Sequence, residues 1–68
     1  MLTLKKFRAA VKKAIKADYA PDATDAQIEA AMAANEDVLE GCYEDARDSD
    51  DIEAAIDEAA DNIAMCDL

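Results

Sequence analysis

Apolar residues recur along this chain at intervals of three and four, the spacing of a helix face, and nowhere alternate as they do along a half-buried strand. Leu4, Phe7, Val11, Ala14, Ile15 and Asp18 share one face of a first helix. Thr3 can cap it, since a hydroxyl at that position accepts from the unpaired amides of a first turn. Ala20-Pro21-Asp22-Ala23 ends it, because Pro21 lacks an N–H and disfavours helix at Ala20. Thr24-Asp25-Ala26-Gln27 has the form of a capping box and opens a second helix. Its stripe runs Ile28, Met32, Asn35, Leu39, Cys42 and Ala46 without a phase slip, which predicts one helix to about Arg47. Asn35 on the stripe and Gly41 within it, the glycine costing about 1 kcal/mol relative to Ala, make a break near Asn35-Glu36 the alternative. Asp48, Ser49 and Asp50 offer caps to a third helix whose face is Ile52, Ile56, Ala59, Ile63 and Cys66. The expected fold is all-α: a short antiparallel three-helix bundle, with helices at about 4–19, 25–47 and 50–66, forming one acidic domain over residues 1–68.

Composition makes that bundle thin. Of 36 apolar residues in 68, 17 are Ala, which lets helices approach closely but buries little area. A single core of this size supplies only about 3–5 kcal/mol, so either marginal stability or a homodimer that completes the core is expected. Cys42 and Cys66 are the only cysteines, and antiparallel second and third helices would set them about four turns apart along the axis. That exceeds the roughly 7 Å Cα separation a disulfide tolerates, so both read as reduced core residues.

The formal charge of −10, from 17 acidic and 7 basic residues, opposes direct contact with nucleic acid or an anionic membrane and favours a basic partner. No window approaches the roughly 20 apolar residues of a membrane span, and the opening Met-Leu-Thr-Leu-Lys-Lys-Phe lacks the apolar run of a secretory signal. A cytoplasmic protein is expected. The charge is also segregated. Residues 1–19 carry Lys5, Lys6, Arg8, Lys12, Lys13 and Lys16 against Asp18 alone, whereas residues 20–68 carry sixteen acids against Arg47. On a helical wheel Asp25, Glu29, Glu36, Glu40 and Glu44 form an outward arc on the second helix. Asp50, Asp51, Glu53, Asp57, Glu58 and Asp61 do the same on the third, opposite Ile56 and Ile63. Lysines on the first helix would then serve as internal counter-charges.

Few chemistries survive this inventory. There is no His to activate a Ser or Cys nucleophile or to complete a zinc ligand set, so no catalytic residue, metal site or cofactor is assigned. The Asp48-Ser49-Asp50-Asp51 cluster fails as a calcium loop. Aligning Ile52 with that loop's apolar position places Arg47 and Ser49 on ligand positions and leaves neither turn glycine nor closing Glu. The same acids are explained as helix caps. Carboxylates on wet faces are also poorly suited to general acid–base work, which needs one of them desolvated.

What remains is a surface. From Glu36 to Asp67 there are thirteen acids and one base, and carboxylates at i, i+3 and i+4 stand about 5–6 Å apart, close to the spacing of phosphates along a strand. The segments Glu36-Asp37-Val38-Leu39-Glu40 and Asp50-Asp51-Ile52-Glu53-Ala54-Ala55-Ile56-Asp57-Glu58 resemble, in composition and helical architecture over about residues 24–68, phage-encoded DNA-mimic inhibitors, including some anti-CRISPR proteins. The resemblance implies an inhibitor or regulator that occupies the DNA-binding surface of a host protein, and no enzyme activity. The contact residues expected from the charge pattern are Glu36, Glu40, Glu44, Asp50, Asp51, Glu53, Asp57, Glu58 and Asp61, with Tyr43 as an aromatic anchor or, equally, a core-edge residue. The alternative is an assembly module, a helical homodimer or antitoxin-like partner, packing through its Ala-rich stripes.

Overall fold

A computed structural model describes residues 2–49 and 51–68. Among these residues all regular structure is helical: α1 (Leu4–Ala14, prolonged by a π turn at Ile15–Tyr19), α2 (Asp25–Ala34), α3 (Glu36–Asp48) and α4 (Ile52–Asp67). The three-helix expectation is therefore corrected to four, the segment 25–47 being two helices rather than one.

The start signals act as their chemistry dictates. The Lys6 amide donates to Thr3 Oγ1 at 3.2 Å. At α2 the Gln27 amide donates to Thr24 Oγ1 at 3.1 Å, while the Thr24 amide donates to Gln27 Oε1 at 2.9 Å, closing the capping box. The Ala54 amide donates to Asp51 Oδ1 at 3.1 Å and caps α4. The end of α1 is less ordinary. Its last turn is π-helical, the Ala20 amide donating five residues back to the Ile15 carbonyl at 2.7 Å. The wider turn sets Tyr19 back around the axis, and its hydroxyl donates to Asp57 on α4.

The break between α2 and α3 has a local cause. Asn35 Nδ2 donates to the Ala31 carbonyl at 2.7 Å, taking the acceptor that its own backbone N–H would use in a continuous helix. The Asn35 amide turns instead to the Met32 carbonyl at 3.1 Å, and the Asn35 carbonyl accepts from the Leu39 amide at 3.1 Å to begin α3. Asn35 Nδ2 also donates to Asp67 at the end of α4, which anchors the corner.

α4 packs against all three other helices, most extensively against α3. The core is made of Phe7, Val11 and Ile15 from α1, Ile28, Ala31 and Met32 from α2, Leu39, Cys42 and Ala46 from α3, and Ala55, Ala59, Ala60 and Ile63 from α4. No polar side chain among the described residues is buried. Tyr43 closes one edge, its ring tilted 59° against Phe7 with centroids 5.9 Å apart and its hydroxyl donating to the Leu2 carbonyl at 3.2 Å. The predicted face of α4 has the right phase but is covered only in its middle. Ile52 is 38% exposed, Ile56 is half-buried and Cys66 is exposed. The expectation of two core cysteines is thus corrected: Cys42 is buried and Cys66 is not. No helix among the described residues is long and apolar enough to cross a membrane.

Candidate functional site

The fold sorts the carboxylates into paired and unpaired groups. α1 and its π turn lie beside α2 and the start of α3 so that their cations meet acids in antiparallel order: Lys16 pairs with Asp25 at 2.9 Å, Lys12 with Glu29 at 2.8 Å, and Arg8 with Glu36. The Lys16 hydrogen bond, with the charges of Lys16 and Lys12, holds the Asp25 carboxyl below its ordinary range. The Glu29 hydrogen bond, with the charges of Glu29 and Asp25, holds the Lys12 ammonium above its own against the opposing effect of desolvation. These pairs are solvent-exposed, and screening by water keeps their contribution to stability small. Their larger effect is on the map of charge. Asp25, Glu29 and Glu36 turn toward α1 rather than forming a free outward arc, and Glu36, a predicted contact residue, is half-buried and engaged by Arg8.

The other predicted carboxylates face water. Glu40 and Glu44 are exposed on α3, and Asp51, Glu53, Asp57, Glu58 and Asp61 are exposed on α4 and its cap. Asp50 lies outside the described residues. Among the described residues, none of these seven makes an ion pair. Two of them have internal duties, Asp51 as the α4 cap and Asp57 as acceptor for Tyr19. That contact dominates the Tyr19 environment and, with burial and the charges of Asp57, Asp61 and Asp18, pushes the phenol up to about 12.

Electrostatic effects on buried and half-buried groups show how the acids are arranged. Cys42 sits in the seam between α3 and α4, and its thiol is pushed up first by burial and then by Glu58 from one helix and Asp45 from the other. Asp57 and Asp61 act instead on Tyr19, on the α1 side of α4. Carboxylates therefore cover α4 on both flanks and continue across the seam onto α3. Asp45, exposed on α3 three residues after Cys42, adds a further acid to this surface. Tyr43 is half-buried, tied to Phe7 and Leu2 and covered on one side by the Arg47 guanidinium, 5.8 Å from the ring centroid. It stands at the core edge, where it lines the groove at the α3–α4 corner.

None of the seven exposed carboxylates lines the three principal grooves, which lie between the 20–23 loop, α2 and the end of α4, between α1 and α2, and at the α3–α4 corner. These acids lie on the exposed faces of α3 and α4, outside those grooves. Among the described residues no group of three or more His, Cys, Asp or Glu side chains is placed to hold a metal ion. No protein-family model, no curated protein and no solved structure matches this chain.

Proposed function

We propose that this is a non-enzymatic acidic binding protein that inhibits or regulates a nucleic-acid-binding host protein by presenting carboxylates in place of phosphates, in the manner of DNA-mimic and anti-CRISPR inhibitors. One observation carries the reading. Arg8, Lys12 and Lys16, the cations of the basic helix that form ion pairs among the described residues, engage Glu36, Glu29 and Asp25, and no ion pair there reaches the exposed acids Glu40, Glu44, Asp51, Glu53, Asp57, Glu58 and Asp61 of the α3–α4 face. Concentrating unpaired like charge on so small a core is unfavourable for folding, and an internal ladder that spares this face maintains a field directed at a basic partner. Exposure of the carboxylates supports binding over acid–base chemistry, which requires a desolvated member. Ala31, Ala46, Ala55, Ala59 and Ala60, the alanines of the core faces, are enclosed within the single chain, which argues against assembly through those faces.

The test is capture from host lysate on the immobilised protein, with the bound proteins identified by mass spectrometry. Glu44, Glu53, Glu58 and Asp61 are the positions to neutralise to Gln or Asn, because they carry charge without the capping duty of Asp51 or the Tyr19 contact of Asp57. The wild type should retain basic nucleic-acid-binding proteins that salt releases between about 50 and 200 mM, and the neutralised variant should not retain them. Retention of the same proteins by both would refute the proposal.

A further inference from the structure

α4 leaves large apolar side chains in water at both ends. At its N-terminal end Ile52 joins Leu2, Tyr43 and Ala46 in an open groove of about 570 Å³ whose rim carries Arg47 and Ser49. At its C-terminal end Met65 is 79% exposed and Leu68 46% exposed. With Asp61, four residues before Met65, they form a single outward stripe, since residues three and four apart share a helix face.

The two ends are complementary. Arg47 is the one base between residues 20 and 68. It stands at the mouth of the apolar groove, with only a 3.9 Å approach to its sequence neighbour Asp48. The opposite end offers two apolar side chains and the unpaired carboxylate of Asp61. We propose that a second copy of this chain occupies the groove, Met65 and Leu68 of one copy resting on Leu2, Tyr43 and Ile52 of the next, and Asp61 facing Arg47.

Geometry sets the form of the assembly. Ile52 and Met65 are separated by about 20 Å along the axis and by roughly 220° around it, so groove and stripe look in different directions from opposite ends. Such a contact is heterologous and runs head to tail from copy to copy rather than closing as a symmetric pair. Each patch is far smaller than the about 800 Å² per partner of a stable interface, so chain length follows protein concentration. Net charge opposes the contact, and salt strengthens it by screening that repulsion. This is opposite to the salt response of basic-partner capture, and it is read on the purified protein alone.

Sedimentation equilibrium over a concentration series at moderate salt tests the proposal. The wild type should show a weight-average mass that climbs continuously past that of a dimer. Met65→Asp blocks the stripe and Ile52→Asp blocks the groove; each alone should be monomeric with unchanged helical circular dichroism. Mixed in equal amounts they should form a dimer and nothing larger, because one variant retains the groove and the other the stripe. If Ile52→Asp unfolds, Arg47→Glu at the exposed rim replaces it. A monomeric wild type, a mass that levels off at the dimer, or a mixture that stays monomeric would each overturn the proposal.

Discussion

Replacing Gly41 by Ala should stabilise the protein, and the size of the gain can be worked from its surroundings. Gly41 lies inside α3 with no positive φ, and a Cβ placed on it meets nothing within 4 Å. The substitution therefore introduces neither strain nor overlap. What changes is the backbone freedom lost on folding, which disfavours Gly relative to Ala by about 1 kcal/mol in a helix interior. Against a total of about 3–5 kcal/mol for a core of this size, that is a fifth to a third of the stability. It corresponds to a rise in melting temperature of about 4–8 °C. In urea it corresponds to a midpoint shift of about 1 M for a slope near 1 kcal/mol per M. Thermal and urea denaturation followed by circular dichroism measure both. An unchanged or lowered midpoint would show that α3 is not a regular, exposed helix at Gly41. The same position reports on function. Asp37, Glu40, Glu44 and Asp45 surround Gly41 on the helix surface, so a target bound in the proposed manner would meet bare backbone there. Gly41→Leu, which the open space admits, should keep the fold and weaken target binding by about tenfold, equivalent to about 1.4 kcal/mol.

Three further outcomes follow from the packing. Phe7→Ala removes a fully buried aromatic in contact with Tyr43; the expected loss of about 3–5 kcal/mol matches the whole stability, so circular dichroism should show a largely unfolded chain. Cys66 should react with a thiol reagent in the native protein, whereas Cys42, buried and raised in pKa by burial, Glu58 and Asp45, should react only on unfolding; equal native rates would refute this placement. Tyr19 should titrate near 12 in an ultraviolet pH titration, and Asp57→Asn should bring it down toward the ordinary 10.0. Because the folded value lies above the unfolded one, the stabilisation from this contact is fully present below about pH 10 and is lost as pH rises through about 12.

Much of the fold was legible because the apolar stripes and caps act locally. Thr3 and Thr24 with Gln27 cap where their side chains predict, whereas α4 is capped by Asp51, one residue beyond the expected Asp48, Ser49 and Asp50; Phe7, Val11, Ile15, Ile28, Met32, Leu39 and Ile63 are fully or nearly fully buried as their spacing requires. The interruption at Asn35 was visible only as an alternative, because Met32 and Leu39 remain in phase across it. What decides the matter is a side-chain bond to the Ala31 carbonyl. The π turn at Ile15–Tyr19 has no Gly or Pro to announce it, and Tyr19 finds its partner on a distant helix. Ile52 and Cys66 had the right phase but the wrong coverage, since exposure at the ends of α4 depends on where the neighbouring helices stop. Charge sign and segregation could be read directly. Which acids are neutralised could not, because that depends on how α1 lies against α2 and the start of α3. This is why Glu36 moves out of the candidate surface.

Competition with DNA tests the phosphate-like role of the α3–α4 carboxylates most directly. With a captured nucleic-acid-binding protein holding labelled double-stranded DNA, fluorescence anisotropy should fall to that of free DNA as this protein is added. The charge-neutral Glu44, Glu53, Glu58 and Asp61 variant should displace little, while neutralising Lys5, Lys6 and Lys13 of the basic helix should leave displacement intact. A ternary complex in which DNA remains bound, or equal displacement by the acid-neutral variant, would contradict the assignment of these carboxylates as phosphate substitutes.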